Sequence, residues 1–364
     1  MTVLLLFVVG LTALVAGSEL LVRGASKLAI SWGISPLVVG LTVVAFGTSS
    51  PEMAVSVQGA LSGSTDIAIG NVVGSNIFNV LLILGLCAAI VPLSVASQII
   101  RQEVPVMIGA SLLLVVATLD ARLSRGEAAV LFGLLIAYTA FLVVQSRRAA
   151  GQPVGEDFAR ELAPSAAPRW DDRAWVQVAL VAAGLALLVL GSEWLVSAAV
   201  QFARALGLSE LIIGLTIVAA GTSTPEVAAS LMALRKGERD MAVGNVVGSN
   251  VFNILGVLGL SGLVADGGLA VARSVLAFDL PAMVAVAVAC LPIFVSGRRI
   301  GRWEGVLFLA YYAAYVAWLI LDARGHDALD GYRTVMLYVA IPLTVVTVAV
   351  LTWRGTPAPG GGPR

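Results

Sequence analysis

The sequence predicts an all-α polytopic membrane protein built from two inverted five-helix repeats, a ten-helix core with one further transmembrane helix at its C-terminal end. Three observations predict it. Of 364 residues, 59% are hydrophobic and 12% charged, mean hydropathy is +0.97, and apolar runs recur along the whole chain; runs of about 20 residues cross a bilayer as helices. Residues 40–79 align with 214–253 at a fixed offset of 174 without gaps, with 24 identities in 40 that concentrate on Gly, Thr, Ser, Pro, Glu and Asn. An odd number of helices per copy makes the two copies cross the membrane in opposite senses. The ~10-residue alternating strands of a membrane barrel are absent.

In order, the spans are read at 2–22, 36–61, 67–90, 104–120 and 127–145 in the first repeat (residues 1–145). A polar linker over 146–173 follows, then 174–198, 209–234, 241–264, 275–296 and 303–322 in the second repeat (174–322). The eleventh span, 332–353, has no counterpart in the first half, and the tail 355–364, with its Pro and Gly, reads as disordered. The first span lacks the basic start of a signal peptide, and its GSELLV (Gly17–Val22) returns as GSEWLV (Gly191–Val196), so it is a retained helix.

Charge sets the orientation. Placing the N-terminus outside assigns 16 of the 22 Lys and Arg residues to the cytoplasm, as the positive-inside rule requires of a multi-pass protein of the plasma (inner) membrane. The repeats agree: SGSTD (Ser62–Asp66) has no basic residue, whereas its copy KGERD (Lys236–Asp240) does. Net charge is zero, which gives nucleic acid no basic surface. Cys87 and Cys290 lie in apolar segments and read as small buried hydrophobes; His326 lies in a polar loop. No span holds a histidine or a nucleophile–base pair, so the chain reads as a transporter, not an enzyme, and no cofactor is called for.

Chemistry concentrates in GTSSPE (Gly47–Glu52) and GTSTPE (Gly221–Glu226). Proline inside a helix removes a donor and loosens the turn before it, and a carboxylate at that depth marks a functional site. Helical spacing puts Thr48, Glu52 and Ser56 on one stripe and Thr222, Glu226 and Ser230 on its copy. Asn71, Ser75 and Asn79 form a third polar stripe, repeated by Asn245, Ser249 and Asn253. Gly70, Gly74, Gly244 and Gly248 allow close approach of a neighbouring backbone. An in-plane two-fold axis would gather these stripes near the bilayer middle as hard oxygen ligands without imidazole or thiolate, a set that suits Na⁺ or Ca²⁺ over zinc or copper. Interhelical hydrogen bonding is the rival role for the serines and asparagines. Glu19 and Glu193 read as structural carboxylates near helix ends. Glu103 and Asp279, each before an X-Pro, read as helix-start acids or an ion-entry vestibule. Glu127 and Glu304 read as first-turn acids.

The pairs GLTVVAFGTSSPE with GNVVGSNIFN, and GLTIVAAGTSTPE with GNVVGSNVFN, resemble the α-repeats of the cation/Ca²⁺ exchanger superfamily, closest to prokaryotic sodium/calcium exchangers. The resemblance implies that Glu52 and Glu226 are ligands shared by Ca²⁺ and Na⁺, the transported ions. It also implies Na⁺ sites from the backbone of Ala45, Thr48, Ala219 and Thr222 with side chains of Thr48, Ser75, Thr222 and Ser249, central positions at Asn79 and Asn253, and alternating access with the first and sixth helices sliding as a unit. In well-studied sodium/calcium members of that family one central position, corresponding to Asn253, is Asp; here both are Asn, leaving two carboxylates. The expected function is Na⁺-driven Ca²⁺ export, with Ca²⁺/H⁺ or other divalent-cation antiport as the alternative and a cation channel as the reading from another class. Beyond the lipid bilayer and these ions no partner is predicted, and oligomeric state is left open.

Overall fold

A computed structural model describes residues 2–32, 35–150, 173–205, 219–323, 325–326 and 328–346. The apolar runs fold as helices because in a lipid solvent each backbone donor needs a partner within its own segment. In chain order they are α1 (Thr2–Trp32), α2 in two pieces (Leu37–Thr48 and Ser50–Leu61), α3 (Thr65–Ile90), α4 (Ile99–Ala117) and α5 (Arg125–Ala150). The second half supplies α6 (Ala174–Ala205), α7 (Ala219–Thr222 and Thr224–Arg235), α8 (Arg239–Val264), α9 (Val275–Arg298), α10 (Arg302–Ala323) and α11 (Ala328–Val346). Among the described residues nine helices are long and apolar enough to span a bilayer, and the bent pair of α2 makes a tenth. The start of the seventh predicted span, most of the predicted linker and the predicted tail lie outside the described residues.

Three boundaries differ from expectation. α1 and α6 run 31 and 32 residues, roughly 47 Å at the helical rise, well beyond a ~30 Å hydrocarbon layer. Arg23 and Lys27 end the apolar run but do not break a helix. Glu19 therefore lies well inside α1, not near its end, and pairs with Lys236 (2.7 Å) at the end of α7. Glu193 likewise sits inside α6. α4 starts at Ile99, five residues early, which places Glu103 inside the helix. There its carboxylate is fully buried and accepts from Tyr138 of α5 (2.5 Å) and Gln98 (2.8 Å). Neither a helix-start charge nor a vestibule describes it; Asp279, bonded by Tyr315 of α10 (2.9 Å), repeats the arrangement. Glu127 does cap its first turn, accepting from Ser124 N–H at 2.8 Å, and Glu304 repeats this at Gly301.

α1 and α6 pack antiparallel along Gly10, Gly17 and Gly24 on one side and Gly184 and Gly191 on the other, a seven-residue spacing that keeps the glycines on one face. A Cβ at Gly17 would lie 2.9 Å from Gly184 O, and one at Gly184 would lie 2.6 Å from Leu21 N. Only glycine allows backbones that close.

α3 and α8 are the most buried spans described, with α2 and α7 against them. Gly244 and Gly248 of α8 receive the backbone of Leu37 and Leu41 (3.0 and 2.8 Å to their carbonyl oxygens from a built Cβ); the repeat copies of Leu37 and Leu41, 211 and 215, lie outside the described residues. Loops on opposite faces are tied by two antiparallel strand pairs, β1 (Leu93–Ser94) with β4 (Arg299–Ile300) and β2 (Arg122–Leu123) with β3 (Leu269–Ala270). Each is the image of the other under the repeat. α11 is held on α10 by Tyr311, whose hydroxyl reaches Thr344 Oγ1 (2.7 Å), and by Tyr332, whose hydroxyl donates to Ala314 O (2.6 Å).

Candidate functional site

The site begins where α2 and α7 break. Pro51 and Pro225 have no N–H to give the carbonyls of Gly47 and Gly221. The chain leaves helical geometry at Ser49 (φ −80, ψ 9) and Ser223 (φ −87, ψ 10), with a 46° bend in α2. Each proline then starts the next helical piece, and Glu52 and Glu226 fall in its first turn, where the helix dipole favours a carboxylate.

Both glutamates are fully buried, as are Asn79 and Asn253. Each carboxylate is held from the opposite repeat: Ser223 Oγ donates to Glu52 Oε1 (2.8 Å) and Ser49 Oγ to Glu226 Oε1 (3.0 Å). Asn71 Nδ2 donates to the backbone oxygen of Glu52 (3.1 Å) and to Ser56 Oγ (3.0 Å), and Asn245 repeats both contacts with Glu226 and Ser230 (3.5 and 3.0 Å). Thr48 Oγ1 lies 3.3 Å from Asn245 Oδ1, and Thr222 Oγ1 lies 3.3 Å from Asn71 Oδ1. The four stripes converge as the duplication predicts. Within them Asn71, Asn245, Ser56 and Ser230 brace the glutamates.

Where α3 meets α8, four amides close on the pseudo-two-fold axis. Asn76 Nδ2 donates to Asn250 O (3.3 Å) and Asn250 Nδ2 to Asn76 O (3.2 Å). A carbonyl only accepts, so both amides have a fixed orientation with the oxygen turned away. Those oxygens then accept from Asn253 Nδ2 (3.1 Å) and Asn79 Nδ2 (3.0 Å). Asn79 and Asn253 are consequently left with their oxygens unsatisfied. Both also start a π-helical segment, Asn79–Leu84 and Asn253–Leu258, a widened turn that recurs at functional sites.

Buried in this region and without a partner among the described residues are Glu52 Oε2, Glu226 Oε2, Asn79 Oδ1, Asn253 Oδ1 and Ser249 Oγ. An orphaned buried polar atom costs about 1–3 kcal/mol, more when charged, and with the glutamates ionised four of these five only accept. A bound neutral group would have to bring several donors at once; a hard cation satisfies all of them through charge. Ser75 differs from Ser249, since its hydroxyl lies 3.1 Å from Ser223 Oγ. Ala45 is buried with its carbonyl accepting from Ser49 N–H (3.0 Å), and Ala219 opens the described part of α7. Sequence reasoning missed Ser49, Ser223, Asn76 and Asn250. They sit one residue off the polar stripes and act across the axis, and the only signal for them is their identity in both copies.

The halves are not in identical arrangements. Ser192 of α6 donates to Gly221 O (2.6 Å), the carbonyl that Pro225 leaves without its helical donor. Its counterpart Ser18 on α1 instead donates within its own helix, to Val15 O (3.0 Å).

Inverted repeats with broken helices meeting at buried, acceptor-rich positions define a secondary transporter of cations. The comparisons with known proteins name which. The profile of the family described as sodium/calcium exchanger protein matches residues 2–144 and 176–321, and the chain belongs to that family. It is 40% identical over 311 residues to the putative antiporter CaxA of Alkalimonas amylolytica, covering 84% of this chain and 95% of that protein. It is 33% identical over 342 residues to the sodium/calcium exchanger MaX1 of Methanosarcina acetivorans, covering 86% and 97%. A solved structure of the sodium-calcium exchanger NCX_Mj, soaked with Na⁺ and Ca²⁺, superposes with a TM-score of 0.73 at 31% identity, covering 87% of this chain and 98% of that one. The chain is thus an exchanger-type membrane antiporter, a transporter and not an enzyme.

Proposed function

We propose that this antiporter exports Ca²⁺ across the plasma (inner) membrane in exchange for Na⁺ moving inward, by alternating access, with the N-terminus outside and the C-terminus in the cytoplasm. The observation that carries the reading is the set of buried acceptor oxygens on Glu52, Glu226, Asn79 and Asn253 that no donor among the described residues satisfies. Two carboxylates balance one Ca²⁺, and the same oxygens serve Na⁺, so each ion expels the other. Thr48, Thr222, Ser75, Ser249 and the Ala45 and Ala219 backbones flank this centre as Na⁺ ligands. The unequal tethering of α6 and α1 supports alternating access: an inverted pair held in unlike arrangements reaches the opposite-facing state when the two halves exchange roles. The α1–α6 pair, bound together through its glycines, is the unit that moves.

One feature favours a second reading. With asparagine at both central positions the site has only two carboxylates, which leaves Ca²⁺/H⁺ exchange as the alternative. Proteoliposomes separate the two. Ca²⁺ uptake driven by an outward Na⁺ gradient, and lost when choline replaces internal Na⁺, supports Na⁺ coupling; uptake that follows a pH gradient and ignores Na⁺ overturns it. Each net charge moved per cycle would couple to the membrane potential by ~2.3 kcal/mol per 100 mV, so imposing a potential in the same vesicles reads the stoichiometry.

A further inference from the structure

The inverted repeat builds the same backbone on each face of the membrane, and only one face sets a pair of arginines on it at the positions of Arg101 and Arg298. On that face a cleft lies beside the β1–β4 pair, has a volume of about 300 Å³, and is lined by Ser97, Ile100, Arg101, Val295 and Arg298. The corresponding positions, Arg273, Leu276, Ala277, Thr118 and Ala121, lie beside β2–β3. The correspondence extends to single hydrogen bonds: Val95 N–H donates to Arg298 O at 2.9 Å, and Val271 N–H to Ala121 O at 2.9 Å. Arg298 and Ala121 share a left-handed backbone (φ 52 and φ 64). Arg101 and Ala277 are each the third residue of a π-helical segment, Ile99–Glu103 and Val275–Asp279. The fold is therefore satisfied by alanine at both positions, and in the left-handed region a long side chain has no conformational advantage over a short one.

On the alanine face Arg122 Nη2 donates to Gly267 O and Arg125 Nε to Ala265 O (2.9 Å), which leaves Arg273, in the place of Ser97, as a single exposed guanidinium without a pair. On the arginine face Arg302 is engaged with Ile90 O (3.3 Å), but Arg101 and Arg298 are exposed and have no ion-pair or hydrogen-bond partner among the described residues. Beside them Val295 is 46% exposed on the apolar flank of α9, where acyl chains run. This face also carries most of the basic residues.

We infer that the cleft between the start of α4 and the end of α9 binds the headgroup of an anionic phospholipid. The phosphodiester would sit between the Arg101 and Arg298 guanidiniums, which match phosphate oxygens with paired donors, while Ser97 offers its hydroxyl. The glycerol and first methylenes would lie on Ile100 and Val295. Basic pockets between membrane helices on the cytoplasmic side are where such headgroups bind. Because α4 and α9 come from opposite repeats, the lipid would link the two halves.

The test uses the full-length protein, delipidated in detergent, with phosphatidylglycerol titrated while thermal unfolding and lipid-bound mass are followed. Phosphatidylcholine and free glycerol phosphate run in parallel. The variant R101A/R298A gives the cleft the residues that the corresponding positions already carry, R101K/R298K keeps charge without the paired donors, and Arg333→Ala is a distant control. Expected are a rise in unfolding midpoint with phosphatidylglycerol only, at least tenfold weaker binding in R101A/R298A, an intermediate loss in R101K/R298K, and none in the control. Equal phosphatidylglycerol binding by the wild type and R101A/R298A overturns the inference and leaves the arginines as topological determinants alone. A response to phosphatidylcholine equal to that to phosphatidylglycerol overturns it, as does saturation by free glycerol phosphate. Binding that appears only after residues 151–172 are replaced by a Gly/Ser linker would show that the acidic linker (Glu156, Asp157, Glu161) occupies the cleft, and would overturn it too.

Discussion

Glu226→Gln removes one of the two charges on which the proposed cation site depends and leaves its shape intact. The glutamine oxygen still accepts from Ser49, which lies 3.0 Å from Glu226 Oε1, and the side chain keeps its volume in a fully buried position. What changes is the counter-charge: Ca²⁺ would face one carboxylate in place of two. Removing one partner from a buried, desolvated ion pair costs about 3–5 kcal/mol. At tenfold per ~1.4 kcal/mol, Ca²⁺ affinity should fall roughly 100- to 4,000-fold. Isothermal titration of purified protein reads the affinity, and Ca²⁺ uptake into proteoliposomes should fall to background. Glu52→Gln should behave alike, since Ser223 holds Glu52 as Ser49 holds Glu226. A monodisperse variant that binds Ca²⁺ within about threefold of wild type would refute the assignment of these glutamates.

Asn76→Leu removes the acceptor that turns the Asn253 amide, so Ca²⁺ binding should weaken by about 1–2 kcal/mol, roughly five- to thirtyfold, from the lost hydrogen bond; an unchanged titration would mean that Asn76 does not set that orientation. Gly184→Ala places a methyl 2.6 Å from the Leu21 backbone, and overpacking of this kind costs about 1–3 kcal/mol. Its unfolding midpoint should drop, and a midpoint equal to wild type would contradict the close α1–α6 contact. Tyr138→Phe takes one of two donors from buried Glu103 and should destabilise by about 1.5–3 kcal/mol if that carboxyl is ionised. Ca²⁺ affinity should be unchanged, whereas a lost affinity would tie Glu103 to the ion site.

Much of this molecule is written in its apolar periodicity and its duplication. GTSSPE and GTSTPE locate both helix breaks and both glutamates, because proline and a buried carboxylate are anomalies in a membrane span whatever surrounds them. The helix limits were less legible. Arg23 and Lys27 end a hydropathy window, but the α1 backbone continues through them to Trp32, since charge at a helix end can reach the interface without breaking hydrogen bonds. Glu103 was misread for a related reason. Its partner Tyr138 is 35 residues away on α5, and nothing local to Glu103 announces a tyrosine. The amide quartet was hidden differently: helical spacing groups Asn71, Ser75 and Asn79, whereas Asn76 works across the axis against Asn250. A periodicity describes one helix face, and this site is made between faces of two helices.

The central claim is that Ca²⁺ and Na⁺ compete for one pair of glutamates. It is tested most directly by titrating Ca²⁺ into the purified protein at a series of fixed Na⁺ concentrations. Competition predicts that the apparent Ca²⁺ dissociation constant rises with Na⁺ while the number of Ca²⁺ bound per chain stays constant. A Ca²⁺ affinity unmoved by saturating Na⁺ would contradict it.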